Sequence, residues 1–443
     1  RGSAGTGKTS LSGAIVRTLL QIRQKVMLLA PTGRAAKVFS LGSGAPAYTI
    51  HRRIYREKAF AGVDGQFSLN DNLYTDTLFM VDEASMIANM GLGGTTFGSG
   101  CLLDDLVKFV YQGHNDRLLL IGDKAQLPPV GEEESPALSA SVMEGYGLKV
   151  YECDLNEVLR QSQSSGILYN ATLIRQMITH DAVTGLPLIR FKGFADIVMM
   201  PGAELVESLG DSYHHVGMDE TMVITRSNKR ANIYNNGIRN MVLDREEELS
   251  SGDMLMIVKN NYFWTEKEKK ESGEGSAGAV PAFLANGDRA KVLRVSNYIE
   301  LYGFRFATLL LQLPDYDDYE MQVTGMLDTL QSEAPALTHE QQEELFRQVE
   351  EDYQHFVPLK ADRMKSIRQD AYFNALQIKY AYAVTCHKAQ GGQWAHVYVD
   401  QGYMTDDMLT PDYIHWLYTA FTRATDKLFL VNWPKEQTCE PTD

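Results

Sequence analysis

The first residues constrain this chain more than any others. Gly2-Ser3-Ala4-Gly5-Thr6-Gly7-Lys8-Thr9 fills the spacing G-x-x-x-x-G-K-[ST], the phosphate-binding loop of ATP- and GTP-hydrolysing proteins. Glycines let successive backbone N–H groups turn inward around a β-phosphate, where side chains would collide. Lys8 brings a point charge to the β- and γ-phosphates, and the Thr9 hydroxyl can ligate Mg²⁺. From Ser10 to residue 24, apolar side chains recur at Leu11, Ile15, Leu19 and Leu20, which predicts a helix whose N-terminus faces the phosphates. Residues 2–10 are therefore the expected nucleotide-binding set. A glycine-rich turn that fits by accident is the bland alternative, and the complete set of fixed positions speaks against it. A strand normally delivers a chain into such a loop, so residues ahead of Arg1 are expected.

Strand-like apolar runs follow, each ending in polar residues. Residues 25–30 (Lys-Val-Met-Leu-Leu-Ala) lead into Pro31-Thr32-Gly33-Arg34-Ala35-Ala36-Lys37. Residues 77–81 end in Asp82-Glu83-Ala84-Ser85, and residues 118–121 in Gly122-Asp123-Lys124-Ala125-Gln126. Alternation of buried strand, loop and helix predicts a doubly wound α/β sheet with its chemistry at the strand C-terminal ends. A polar, aromatic segment at 55–74 contains Asp64-Gly65, a hairpin signal. Residues 89–100 are glycine-rich and read as a loop. A second α/β unit opens after a helical pattern at 167–179, with a strand at 221–224. Residues 271–278 read as a linker. Strand-like runs at 290–295 and 306–313 mark an inserted β-rich segment with an acidic helical appendage, after which the second unit resumes near Ile378.

Length and charge bound the rest. At 443 residues the chain exceeds a single core. No apolar run is long enough to span a bilayer, so no membrane partner is expected. The cysteines (Cys101, Cys153, Cys386, Cys439) are scattered without metal-ligand spacing, which reads as a reducing, cytoplasmic setting. A formal charge of −15 argues at first against nucleic acid. Between residues 315 and 353, however, twelve acids face one base, which leaves −4 for the rest of the chain. Charge neither demands nor excludes DNA. The acidic stretch reads as a solvated helix, a docking face for protein partners, or a barrier that keeps DNA off one side.

Asp82 and Glu83, behind a buried strand, are the expected companions of the phosphate loop. Asp82 would hold the Mg²⁺ shell with Thr9, and Glu83 would orient or deprotonate the attacking water. The Gln126 amide can bond a γ-phosphate without adding charge. An arginine near the transferring phosphoryl group speeds hydrolysis by about 10³–10⁵. Arg160, in Leu155-Asn156-Glu157-Val158-Leu159-Arg160-Gln161, and Arg423, in Tyr418-Thr419-Ala420-Phe421-Thr422-Arg423, are candidates. Physics alone does not select these two arginines.

Taken in order, the motifs resemble the RecD-like and Dda-like superfamily 1B DNA helicases. They comprise residues 2–9, 30–37, Thr49-Ile50-His51, 82–85, 122–130, 157–161, 382–391 and 418–423. Leu127-Pro128-Pro129 and Pro31-Thr32-Gly33-Arg34 set them apart from the UvrD-like branch, which moves with opposite polarity. The resemblance implies an α/β fold of two RecA-like P-loop lobes with parallel sheets. It adds a small hairpin insertion in the first lobe and a β-rich SH3-like insertion in the second. The expected boundaries are 1–165 for the first lobe, with its wedge-like insertion at about 53–76, and 166–285 and 376–443 for the second. The SH3-like subdomain and acidic appendage would occupy 286–375 and brace the wedge.

The resemblance further implies that Arg160 and Arg423 approach the γ-phosphate of ATP, with Gly391 also at the nucleotide. Pro31, Thr32, Thr49, His51, Thr385 and His387 would touch or flank single-stranded DNA. The implied activity is ATP-dependent 5′-to-3′ movement on single-stranded and tailed duplex DNA, within DNA repair and recombination. Two other readings remain open: an ATP-gated DNA-binding subunit of a recombination nuclease complex, and an RNA-directed helicase. The aromatics Tyr262, Phe263, Trp264 and Trp394 read first as core packing and second as base-stacking platforms. The family's adenine-recognising glutamine would precede Arg1.

Overall fold

The computed structural model describes residues 1–60, 65–91, 98–155, 164–179, 185–272, 280–281, 283–405 and 408–439. The chain divides into two compact units. One comprises Arg1–Tyr55, Leu69–Ser227 and Val384–Asp443; the other comprises Arg56–Ser68 and Asn228–Ala383.

The first unit opens with helix α1 (Lys8–Gln21), strand β1 (Lys25–Ala30), α2 (Gly33–Ser43), β2 (Ala47–Thr49) and α3 (Ile50–Ile54). After a hairpin of β3 (Tyr55–Phe60) and β4 (Gly65–Leu69) come β5 (Thr77–Val81), α4 (Leu102–Gln112), β6 (Arg117–Leu120) and α5 (Ala140–Glu144). The order β2-β1-β5-β6 forms a parallel sheet. The last four residues of β1 are buried, as a strand covered on both faces requires, and this is why it reads as a continuous apolar run. Val16, Leu28, Phe39 and Met80 pack α1 and α2 onto that sheet. The helices approach so closely that a Cβ on Gly13 would lie 2.3 Å from the Gly42 carbonyl oxygen.

The same unit continues with α6 (Gly166–Thr179), β7 (Ile197–Met200), α7 (Leu205–His215) and β8 (Thr221–Thr225). All five residues of β8 are buried.

The second unit then begins, with α8 (Asn228–Gly237), β9 (Met254–Ile257), α9 (Phe263–Ser272), β10 (Arg289–Leu301), β11 (Phe304–Leu313) and β12 (Tyr319–Met326). It closes with α10 (His339–Gln354), α11 (Lys360–Arg368) and β13 (Leu376–Tyr380). Its strands form a closed barrel, β10-β11-β12-β13-β9, antiparallel except between β12 and β13. Closure removes the exposed sheet edges that invite aggregation. The barrel reaches beyond the 286–375 segment expected from sequence, because β9 and β13 lie on either side of it.

The acidic stretch is not one helix either: its first part is strand β12 and its later part α10. Thr338 and Gln341 form a reciprocal capping box at the start of α10. Leu345 and Val349 bury against Phe306, Met326 and Ile367, and the acids occupy the other faces. In this unit the Phe67 ring of β4 lies 5.2 Å from Tyr262, which stacks on Phe283 at 4.8 Å. The hairpin's Asp64 lies outside the described residues, as do 92–97 of the glycine-rich loop and 273–278 of the linker.

The chain returns to the first unit as β14 (Ala383–Thr385), α12 (Cys386–Ala389), β15 (Trp394–Asp400), α13 (Pro411–Phe421) and β16 (Ala424–Val431). The order β14-β8-β15-β16-β7 makes a second sheet, parallel from β8 to β7. Eight of the eleven residues of α13 are buried, so this helix is a core element rather than a surface one.

Candidate nucleotide site

Gly5 and Gly7 both sit at left-handed φ, 79° and 80°, a region open to glycine at little cost. Gly7 precedes α1 without a side-chain cap, and the helix has no acid in its first turn. Its leading N–H groups therefore remain available to an anion. The loop is tied to the end of β6 by the Gly2 N–H, which donates to the Gly122 carbonyl at 3.1 Å. A Cβ on Gly2 would stand 2.6 Å from Thr6 Oγ1, so a side chain there would displace Thr6. Lys8 Nζ folds back and donates to the carbonyls of Gly2 and Ser3 at 2.7 and 3.0 Å. Thr9 and Ser10 are exposed at the helix start.

Across the sheet edge, Asp82 and Glu83 leave β5. The Asp82 N–H donates to the Leu29 carbonyl at 3.0 Å, which fixes it beside β1. Glu83 adopts φ 51°, ψ 38°, an uncommon conformation for a residue with a side chain, and its N–H donates to Asp82 Oδ1 at 2.9 Å. Burial, and then the Glu83 charge, push the Asp82 carboxyl up to about 6 against the opposing pull of the Glu83 amide and Lys8. Glu83 Oε2, Ser85 Oγ and Gln126 Oε1 are buried without a hydrogen-bond partner among the described residues. Unpartnered buried polar atoms are costly. Gathered on residues behind β5 and β6, these three fit a hydrated metal–phosphate group.

The second sheet's helices reach this edge too. Tyr418 of α13 donates its hydroxyl to Asp123 Oδ2 at 2.7 Å and accepts the Ala4 N–H at 2.9 Å. Thr419 Oγ1 accepts the Leu127 N–H at 2.8 Å, and Gln390 Nε2 donates to the Leu127 carbonyl at 2.7 Å. Arg175 of α6 donates to Ser3 Oγ at 2.7 Å. Sequence reasoning missed Arg175, whose helical position carries no motif, and gave Tyr418 no role although it quoted the motif that contains it.

Not every expected residue gathers at the loop. The Arg423 guanidinium is buried and donates to the carbonyls of Thr419 and Gly392 and to Thr422 Oγ1, within its own sheet's elements. Arg160 lies outside the described residues. Gly391, at φ 73°, faces Thr32 and Ala35, which a Cβ would meet at 3.2 and 3.3 Å. It thus sits beside an expected DNA-contacting residue rather than in the loop.

The expected DNA-contacting residues also have local duties. Thr32 and Thr49 cap α2 and α3 by accepting the N–H groups of Ala35 and Arg52. Pro31 follows β1. Desolvation lowers His51 to about 4 and keeps it neutral. Thr385 precedes α12, which carries an exposed His387. Trp264 and Trp394 are buried, as core packing requires. Arg34, in the same loop as Thr32, stacks over the Trp394 ring at 4.6 Å and donates to the Gln393 carbonyl.

Comparisons with known proteins follow this layout. An AAA-domain family model matches residues 1–185, and a UvrD-like helicase C-terminal domain model matches 380–431. Uncharacterized protein R530 of Acanthamoeba polyphaga mimivirus is 22% identical over 96% of this chain and 93% of its own length. The ATP-dependent RecD2 DNA helicase of Deinococcus radiodurans is 32% identical over 29% of this chain and 16% of its own length. Among solved structures, the Bacteroides Pif1 helicase in complex with ADP-AlF3 and single-stranded DNA aligns with a TM-score of 0.48. It is 13% identical, over 100% of this chain and 90% of that one. The two family models fall on the two sheets in the order in which the sequence motifs run, so the chain is similar to an AAA domain over its first sheet and to a UvrD-like helicase C-terminal domain over part of its second.

Proposed function

We propose that this chain is a motor that couples ATP hydrolysis to 5′-to-3′ movement on single-stranded DNA and so unwinds tailed duplexes. One observation supports the reading above the rest: Glu83 Oε2 and Gln126 Oε1 stand buried and unpartnered behind the same sheet that carries the open phosphate loop. Lys8 and the first turn of α1 would bind the β- and γ-phosphates, and Glu83 would direct the attacking water. Mg²⁺, held by Thr9 and Asp82, would neutralise charge on the phosphate oxygens. Gln126 would sense the γ-phosphate. Arg423 would serve hydrolysis only after releasing bonds it now makes, so its part implies movement of the turn that follows α13.

Pro31, Thr32, Thr49, His51, Thr385 and His387 would lie along the DNA strand. The β3–β4 hairpin would act as the wedge, and the Phe67–Tyr262–Phe283 ring contacts support the view that the barrel unit braces it. The free cysteines suit a cytoplasmic setting, and no helix among the described residues is long and apolar enough to cross a membrane.

Matched duplexes with either a 5′ or a 3′ single-stranded tail test the proposal. Unwinding of the 5′-tailed substrate alone, lost in Lys8→Ala, is the expected result. Unwinding by Lys8→Ala with ATP would overturn the assignment of the phosphate loop, and preference for the 3′ tail would overturn the direction.

A further inference from the structure

We propose that Tyr418 is a positioning residue that keeps Lys8 free for phosphate by occupying the carboxylate of Asp123. The inference rests on the nucleotide-site reading above. Asp123 is 3% exposed. Its Oδ1 accepts the Ala125 N–H at 3.0 Å and its Oδ2 accepts the Tyr418 hydroxyl at 2.7 Å. Lys8 Nζ makes only a long ion pair with that same Oδ2, at 3.9 Å, beyond a hydrogen bond, and donates instead to the neutral carbonyls of Gly2 and Ser3. A phosphate competes readily with neutral carbonyls for an ammonium group; it competes poorly with a buried carboxylate.

Take the phenol away and Oδ2 becomes a buried charged acceptor without its short bond, which is costly. Lys8 is the cation at hand to replace it. The resulting Lys8–Asp123 pair would draw the loop's charge away from the place where phosphates must bind. Tyr418 is well placed to prevent this because it arrives on the buried helix α13, whose next residue, Thr419, is itself bonded to Leu127. Burial and the Asp123 charge also push the phenol well above its ordinary range, so it stays a donor. A side chain from the second sheet thus decides the availability of a lysine on the first. When α13 withdraws, Asp123 takes Lys8.

The test uses the full chain and its Tyr418→Phe, Asp123→Asn and double variants. KM and kcat for Mg·ATP and binding of a fluorescent ADP derivative are measured for each. Tyr418→Phe is expected to raise KM and the probe's Kd about tenfold, with a smaller change in kcat. Adding Asp123→Asn should bring both back toward wild type, because the charge that captures Lys8 is gone. Unchanged KM in Tyr418→Phe would overturn the proposal. A double variant as impaired as the single one would also overturn it, since loss of a contact on Ala4 or of helix docking is not repaired by neutralising Asp123. If the wild-type chain fails to bind the probe, the nucleotide site itself is misassigned, a result visible without any Tyr418 variant.

Discussion

Gly13 and Gly42 meet where α1 crosses α2, with space for no side-chain atom on Gly13: a Cβ there would stand 2.3 Å from the Gly42 carbonyl oxygen. In an open helix, Gly→Ala stabilises by roughly 0.5–1 kcal/mol. Here the new methyl group meets backbone, so Gly13→Ala should instead destabilise by about 1–3 kcal/mol, read by urea denaturation. Because α1 starts at Lys8, the helix displacement should also weaken nucleotide binding. A variant as stable as wild type would show that the two helices can slide apart freely.

Glu83 is held in a left-handed conformation with a buried, unpartnered Oε2. Glu83→Gln keeps the shape and removes the proposed base. Hydrolysis should fall by about 10²–10⁴, while binding of Mg·ADP persists. Single-turnover hydrolysis beside equilibrium binding separates the two effects, and undiminished hydrolysis would remove Glu83 from the chemistry.

Burial and the neighbouring Glu83 raise the Asp82 carboxyl from its ordinary 3.8 to about 6. Below that value Asp82 is protonated and a poor Mg²⁺ ligand, so Mg²⁺-dependent nucleotide affinity should drop as pH falls from 7.5 to 5.5. Stability responds in the opposite sense. Between the two values the folded chain binds more protons than the unfolded one, so Asp82's contribution to stability declines as pH rises through this window. Asp82→Asn should flatten the metal-dependent part of the binding profile, measured by titration calorimetry. A profile as steep as wild type in that variant would assign the titration to another group.

Arg423 is 3% exposed and bonded to Thr419, Gly392 and Thr422. Arg423→Ala should therefore cost about 2–4 kcal/mol of stability, seen as a lower Tm, in addition to any loss of hydrolysis. Arg423→Lys keeps the charge but cannot reproduce the fork of bonds, and should fall between. An alanine variant with wild-type Tm and no hydrolysis would mean that the guanidinium acts on phosphate alone.

What the sequence reveals depends on how local the cause is. The phosphate loop and the Asp82–Glu83 pair are legible because fixed residue types follow apolar runs at short range, and β1 and β5 fall on the expected residues. The barrel is harder to see. Its β9 and β13 are separated by more than a hundred residues, and neither short run announces its partner. The capping duties of Thr32 and Thr49 use ordinary cap chemistry, which motif matching conceals. Tyr418 and Arg175 owe their positions to packing between α6 and α13 and to contacts across two sheets, and no spacing within either helix encodes that. The Arg423 bonds are local, yet a motif that assigns an arginine to phosphate gives no hint of carbonyls that already hold it.

The chain leaves its second sheet after β8 and comes back as β14, the strand next to β8 in that sheet. Exit and return thus share one doorway, and the long excursion between them occupies no position in the host sheet. Such an arrangement makes the accessory piece modular: its length can change without rethreading a single host strand, while the host sheet keeps its register.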